Sequence, residues 1–283
     1  MRHAILGAGG IGGLLGASLA RAGSSVVLLM RPKTLERYGG RLAVESAVLG
    51  NFEVEVPAAS GLDGDIDALW VTTKAMQLEP AVALAPPERV GGAVVIPLLN
   101  GVDHVALLRA RYRNVVAGAI HVESERLAPA RIRQSSPFLR VGLAGAEPLV
   151  AELRAAGIDC YVRDDELSLL WDKLAFLAPV ALATTALDAP LGAVRADERY
   201  RRCQDEVLAV ARAEGARVDA EAIRELQEAA PNGMQSSMQK DVAAGRRPEL
   251  DAIAGPILRG CERHGIPVPA TDELARLVAA RAS

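Results

Sequence analysis

HAILGAGGIGGLLGASLARAGSSVVLLMR, residues 3–31, carries three patterns in a fixed order. Residues 3–6 form a short apolar run with the length of a buried strand. Gly7, Gly9 and Gly12 follow at the spacing G-x-G-x-x-G. Apolar residues at helical spacing run over 11–20 and stop at Gly23, and a second apolar run, 26–30, fits the next strand. Strand, glycine turn, helix and strand in that order are the setting in which this motif binds a dinucleotide. Each glycine has its own task. Gly7 permits the turn out of the strand, Gly9 leaves the backbone bare for a pyrophosphate, and Gly12 lets the helix lie close to the strand. The helix start offers unpaired N–H groups and the positive end of its dipole. The same glycines would also serve a turn that binds nothing; the flanking strand and helix favour the dinucleotide.

The residue that ends the second strand selects the cofactor. An enzyme for NAD carries Asp or Glu there to accept bonds from the ribose 2′-hydroxyl, whereas this chain has Arg31. A carboxylate repels a 2′-phosphate, and a guanidinium binds one with paired hydrogen bonds. The expected cofactor is therefore NADP, used as NADPH.

Working outward, 283 residues suit two domains, and a 50% hydrophobic content builds a sizeable core. Aromatics are only 3%, so Leu, Val and Ala must fill it. A net charge of −3, from 32 basic and 35 acidic residues, argues against nucleic-acid binding and against electrostatic membrane docking. The start does not resemble a signal peptide. The longest apolar run, 174–187, contains Pro179 and is short for a bilayer. The expected location is cytoplasmic. Cys160, Cys203 and Cys261 are scattered without a C-x-x-C and the four histidines are isolated, so no metal site is expected.

Beyond the opening unit, residues 32–40 read as a polar loop or short helix, and 42–56 as a hairpin turning at Gly50-Asn51. Strands are expected at 68–72, 93–99, 115–122, 132–143 and 160–162, with helices at 76–84, 103–112 and 148–156. The texture changes near residue 164. Helices then follow at about 166–187, 197–215, 219–229, 234–244, 249–264 and 271–281, separated by glycine and proline stops. The expected fold is α/β: an N-terminal Rossmann-like, doubly wound parallel sheet over 1–163, followed by an all-helical domain over 164–283.

Several polar residues stand where chemistry would need them. Lys74 and Asn100 each follow an apolar strand, and strand ends of an open parallel sheet face the ligand crevice. Lys74 suits a cofactor phosphate, a substrate carboxylate or a solvated helix start. Asn100 suits the nicotinamide end, the substrate or an ordinary Asn-Gly turn. Lys173 lies in LSLLWDKLAFLAPVALATTAL, where it either snorkels outward or faces a cavity. At helical spacing it shares a face with Leu177, Ala181 and Thr184. A buried lysine has a lowered pKa and donates a proton more readily near neutrality. Pro248-Glu249 reads equally as a helix start, and Ser236 or Ser237 as an N-cap.

GAGGIG, Arg31, VTTKAMQ, LLNG, LWDKLA, SSMQKD and PELDAI…HGIPVPAT, taken together, resemble the ketopantoate reductase (2-dehydropantoate 2-reductase) family along essentially the whole chain. The resemblance implies a two-domain NADPH-dependent reductase that passes hydride to the C2 carbonyl of a 2-oxo acid. The implied reaction is ketopantoate to pantoate, in pantothenate biosynthesis. It makes Lys173 the general acid, and Glu249 the group that binds a substrate hydroxyl and orients the lysine. Asn100 and Ser237 become substrate contacts, and Arg31 and Lys74 hold the 2′-phosphate end of the cofactor. Three positions depart from the family pattern: Leu177, Ala181 and Met234 stand where family members commonly carry asparagine. Leu177 and Ala181 are then apolar walls of the substrate site. The rivals are a same-fold reductase for a more apolar 2-oxo acid and a non-catalytic NADP(H)-binding sensor. Lys173 together with Glu249 speaks against the sensor. The expected partner is a small 2-oxo acid, and a homodimer is compatible with the resemblance.

Overall fold

The computed structural model describes residues 1–282. Contacts divide the chain into two compact units, Met1–Leu99 with His104–Glu166, and Asn100–Asp103 with the chain from Leu167 onward. The sequence reading drew its boundary at 163/164 and kept residues 100–103 in the first domain. Those residues cluster instead with the second unit. Asn100 bonds Glu249, Asp103 bonds Arg259, and Gly101 lies so close to the Ala252 carbonyl that a Cβ would stand 2.3 Å from its oxygen.

The first unit runs β1 (Arg2–Leu6), α1 (Gly10–Arg21), β2 (Ser25–Leu29), α2 (Pro32–Leu35), β3 (Arg41–Ser46), β4 (Phe52–Glu55), β5 (Ala58–Ala59), β6 (Ala68–Val71), α3 (Leu78–Ala81), α4 (Pro87–Val90), β7 (Val94–Pro97), α5 (His104–Arg109), β8 (Gly118–His121), β9 (Ser124–Ala128), β10 (Arg131–Gln134), β11 (Arg140–Leu143), α6 (Glu147–Ala155) and β12 (Asp159–Val162). Five strands make a parallel sheet in the order β5-β2-β1-β6-β7, with Leu6 paired to both Leu29 and Val71. Ala4, Ile5 and Leu6 are wholly buried, as a central parallel strand requires. The strand order reverses at β1, so the crevice beyond its C-terminal end, at Gly7, is the topological switch point.

Helix α1 is packed on two sides. Toward the parallel sheet, a Cβ on Gly12 would lie 2.1 Å from the Gly7 carbonyl oxygen. Toward a second sheet, ordered β4-β3-β10-β9, the Ile132 side chain sits where a Cβ on Gly13 would be. A third sheet pairs β11 antiparallel to β8 and parallel to β12. Beneath β1, the indole N–H of Trp70 donates to His3 Nδ1 at 3.2 Å. An indole nitrogen only donates, so the imidazole proton sits on Nε2, which lies 3.3 Å from Glu152. Burial pushes the His3 pKa down, with Glu152 opposing.

Two expected elements of the first unit differ in the structure, and one strand is additional. Residues 132–143 are not one strand but two, β10 and β11, in different sheets. Pro137 cannot donate to a ladder, and Gln134 and Ser136 spend their side chains on the turn between them. The helix expected at 76–84 is broken into the 3₁₀ turn Ala75–Gln77, short α3 and the 3₁₀ turn Val82–Leu84. Strand β9 was not expected, because SERLA is an exposed edge strand without apolar alternation.

The second unit holds α7 (Glu166–Leu187, its first residue grouped with the first unit), α8 (Leu191–Val194), α9 (Glu198–Ala213), α10 (Ala220–Ala229), α11 (Ser237–Ala243), α12 (Leu250–His264) and α13 (Pro269–Arg281). At 22 residues α7 is long and apolar enough to cross a membrane, contrary to the sequence estimate from its apolar run. Most of it is buried among its neighbours, as suits a core helix that is hydrophobic all round. Trp171, Leu174, Val207, Ile253 and Leu274 are central to that core. Caps come from Asp197, Asp219 and Ser236. The start of α13 is capped from another helix: Glu206 of α9 accepts from the N–H groups of Ala270 and Thr271 and from the Thr271 hydroxyl.

Candidate active site

The glycine loop follows β1 directly. Gly7 has φ +104°, a left-handed conformation that favours glycine, and its N–H donates to the Leu29 carbonyl at 3.3 Å. Gly9 caps α1 without any side-chain bond to the helix start. A Cβ built on Gly9 meets nothing within 4 Å. Tight packing at Gly12 and open space at Gly9 therefore stand three residues apart. That is the arrangement a phosphate on a helix N-terminus needs. The loop is braced by residues that sequence reading missed: Ser124 Oγ donates to the Gly10 carbonyl at 2.9 Å, and Arg126 Nη1 to the Ala8 carbonyl at 3.2 Å. Both belong to β9, whose lack of apolar pattern hid them.

Arg31 lies just past β2, exposed, as the residue before α2. Lys74 lies just past β6, half-buried, before the Ala75–Gln77 turn. β2 and β6 flank β1 in the same direction, so both cations follow the C-terminal strand ends where the glycine loop also begins.

In the second unit the structure brings three further candidates together. Lys173 is half-buried in the first half of α7. Burial lowers its pKa to about 8, with attraction to Glu249 opposing. Glu249 is the residue before α12, and its Oε2 accepts a hydrogen bond from Asn100 Nδ2 at 3.2 Å. Cation, carboxylate and amide thus form one polar cluster beside an apolar helix.

The serines divide their roles. Ser236 Oγ accepts from the Gln239 N–H as the N-cap of α11, and it takes the Thr184 hydroxyl at 2.9 Å. Ser237 is exposed as the first residue of α11. The face shared by Lys173, Leu177, Ala181 and Thr184 is graded. Lys173 and Leu177 are half-buried, whereas Ala181 and Thr184 are fully buried, with Ser236 over Thr184. Ala181 packs inside the helical core, one turn beyond the half-buried Leu177. Met234 is half-buried, and its carbonyl accepts from the Leu191 N–H at 2.9 Å. A shallow concavity on the face of β3 and β4, lined by Arg41, Glu45, Phe52 and Arg131, contains none of the candidates.

The profile described as ketopantoate reductase PanE/ApbA matches residues 3–142, and that of the family's C-terminal part matches residues 166–282. The chain belongs to the ketopantoate reductase family. It is thus an oxidoreductase. The 2-dehydropantoate 2-reductase of Caulobacter vibrioides is 30% identical to it, over 99% of this chain and 98% of its own. The crystal structure of a PanE/ApbA family ketopantoate reductase from Ralstonia eutropha matches with a TM-score of 0.88 at 31% identity, covering 100% of this chain and 98% of that one. D-mandelate dehydrogenase, solved with NADH and anilino(oxo)acetate, shares the fold at a TM-score of 0.89 and 23% identity, over 100% and 98% of the two chains.

Proposed function

We propose that this ketopantoate reductase family member uses NADPH to reduce a 2-oxo acid to the 2-hydroxy acid, with ketopantoate as substrate and pantothenate biosynthesis as its setting. The observation that carries the reading is Lys173, lodged in an apolar helix with its pKa near 8 and attracted to a Glu249 that Asn100 holds. The dinucleotide fits the first unit: Gly7 and Gly12 form the turn, Gly9 leaves the space, and Arg31 and Lys74 suit the 2′-phosphate end. Bound NADPH supplies the hydride that the carbonyl carbon receives.

The chain's own residues handle the proton and the substrate. Lys173 Nζ hydrogen-bonds the carbonyl oxygen and gives it a proton as negative charge develops there. An ammonium with a pKa near 8 is charged at neutrality, yet it is a better acid than an ordinary lysine. Glu249 favours that charge and accepts a bond from a substrate hydroxyl. Asn100 fixes the Glu249 carboxylate, and the exposed Ser237 hydroxyl serves the acidic end.

A second reading is favoured by Leu177 and Met234, both apolar and half-buried. They suit a bulkier, less hydroxylated 2-oxo acid, at about 0.8 kcal/mol per buried methylene. D-mandelate dehydrogenase, on the same fold, was solved with the oxo-acid analogue anilino(oxo)acetate. Steady-state kcat/KM for ketopantoate beside branched and aromatic 2-oxo acids, with NADPH, tests both. A lead for ketopantoate above about a hundredfold supports the pantothenate role, and parity supports the apolar substrate. Tight NADPH binding without turnover of any 2-oxo acid overturns the enzyme reading in favour of a sensor.

A further inference from the structure

Pro179 lies inside α7, the helix that carries Lys173. Proline has no N–H, so the carbonyl four residues earlier, that of Ala175, loses its helical partner. Ala175 is buried in the helical core, where an unpaired carbonyl is costly. Gln227 of α10 supplies a replacement donor and contacts the next carbonyl as well. Its Nε2 donates to the Ala175 carbonyl at 3.1 Å and to the Phe176 carbonyl at 2.9 Å. The Gln227 side chain is wholly buried, and its Oε1 accepts from Gln204 Nε2 at 2.6 Å. Both amide protons are thereby directed at α7, and the amide cannot turn over without abandoning Gln204.

The location of this latch matters for chemistry. A helix interrupted by proline bends most easily at the missing bond. Gln227 grips the carbonyls on the N-terminal side of the interruption, within one turn of Lys173. We propose that Gln227 is a positioning residue for Lys173: by satisfying the Ala175 carbonyl exposed by Pro179 and holding the Phe176 carbonyl beside it, it fixes the half of α7 that carries the ammonium, and so sets the ammonium against Glu249. The inference rests on the reading of Lys173 as the proton donor. It adds a residue that touches neither substrate nor cofactor.

The test is a double-mutant cycle with two readouts. Gln227→Leu removes both donors, and Pro179→Ala restores the N–H that satisfies the Ala175 carbonyl internally. In the otherwise native chain, Gln227→Leu is expected to lower kcat by about tenfold or more while NADPH affinity holds. In the Pro179→Ala background the same change is expected to cost less than about threefold. The second readout needs no turnover. Lys33, Lys74, Lys173 and Lys240 are the chain's lysines, so the Lys173 titration is readable by NMR of ¹³C-labelled lysine side chains. Its midpoint is expected to move by about 0.5 pH or more in Gln227→Leu and to return in the double variant. A lower Tm with kcat and the Lys173 midpoint unchanged overturns the proposal, as does an equal cost in both backgrounds. If Gln227→Leu does not fold, Gln204→Leu, which keeps the donors but lets the amide turn, is judged by the same two quantities. A wild type that turns over no 2-oxo acid sinks the proton-donor role, whereas an unmoved Lys173 midpoint in the variant sinks the latch.

Discussion

Asn100 Nδ2 donates to Glu249 Oε2 at 3.2 Å, tying the turn after β7 to the start of α12 across 149 positions of chain. The bond fixes one carboxylate oxygen of Glu249. Asn100→Ala is expected to lower kcat/KM by about tenfold to a hundredfold, the worth of one hydrogen bond to a charged group. Steady-state kinetics check it, and unchanged values would mean the bond is idle.

The Lys173 pKa of about 8 predicts an activity limit on the alkaline side. The kcat/KM for reduction is expected to be flat toward neutrality and to fall about tenfold per pH unit above 8, as the ammonium loses its proton. Stability moves the other way. The folded pKa lies below the ordinary 10.5, so between about 8 and 10.5 the unfolded chain binds this proton more tightly, and raising the pH through that window favours the fold. A pH profile with Tm measured in parallel separates the two. Lys173→Ala is expected to cut kcat by about 10²–10⁴ with NADPH still bound; near-normal turnover would remove the role.

Arg31 predicts the cofactor preference. The wild type is expected to favour NADPH over NADH, and Arg31→Asp to erode that preference by about one to two orders of magnitude. Paired kcat/KM values for the two cofactors test it, and equal use by the wild type would refute it.

Gly9 and Gly12 are expected to fail differently. A methyl at Gly9 enters open space, so Gly9→Ala should keep its Tm but weaken NADPH binding about tenfold or more. A methyl at Gly12 would lie 2.1 Å from the Gly7 carbonyl oxygen, so Gly12→Ala should lower Tm by about 5 °C or more. Thermal melts beside NADPH titrations distinguish them; the same behaviour in both variants would contradict the assigned geometry.

Sequence was informative where one short pattern does one job. The strand and turn of residues 3–12 needed no distant partner to be legible, and α7 stood at the residues expected. Two kinds of feature were hidden. The first depends on long-range pairing: SERLA becomes a strand because β10 and the glycine loop lie beside it, and Gly101 follows α12 because Ala252 leaves room only for a glycine. The second depends on which side of a helix is covered. Spacing put Leu177 and Ala181 on one face with Lys173, but only the fold shows that the buried part of that face begins at Ala181. Ser236 and Ser237 are alike in sequence, and the Thr184 hydroxyl decides which one is the cap.

The two tryptophans, Trp70 in β6 and Trp171 in α7, fall one to each compact unit, both fully buried. The chain therefore carries one tryptophan fluorophore per unit. In a Trp171→Phe chain the tryptophan emission reports the first unit alone, and in a Trp70→Phe chain the helical unit alone. Ligand held by the first unit raises the melting midpoint seen at Trp70 by mass action, so cofactor occupancy can be followed optically without any substrate. Trp70 also donates to a lone pair on His3 that disappears on protonation, which makes its emission a local acid sensor.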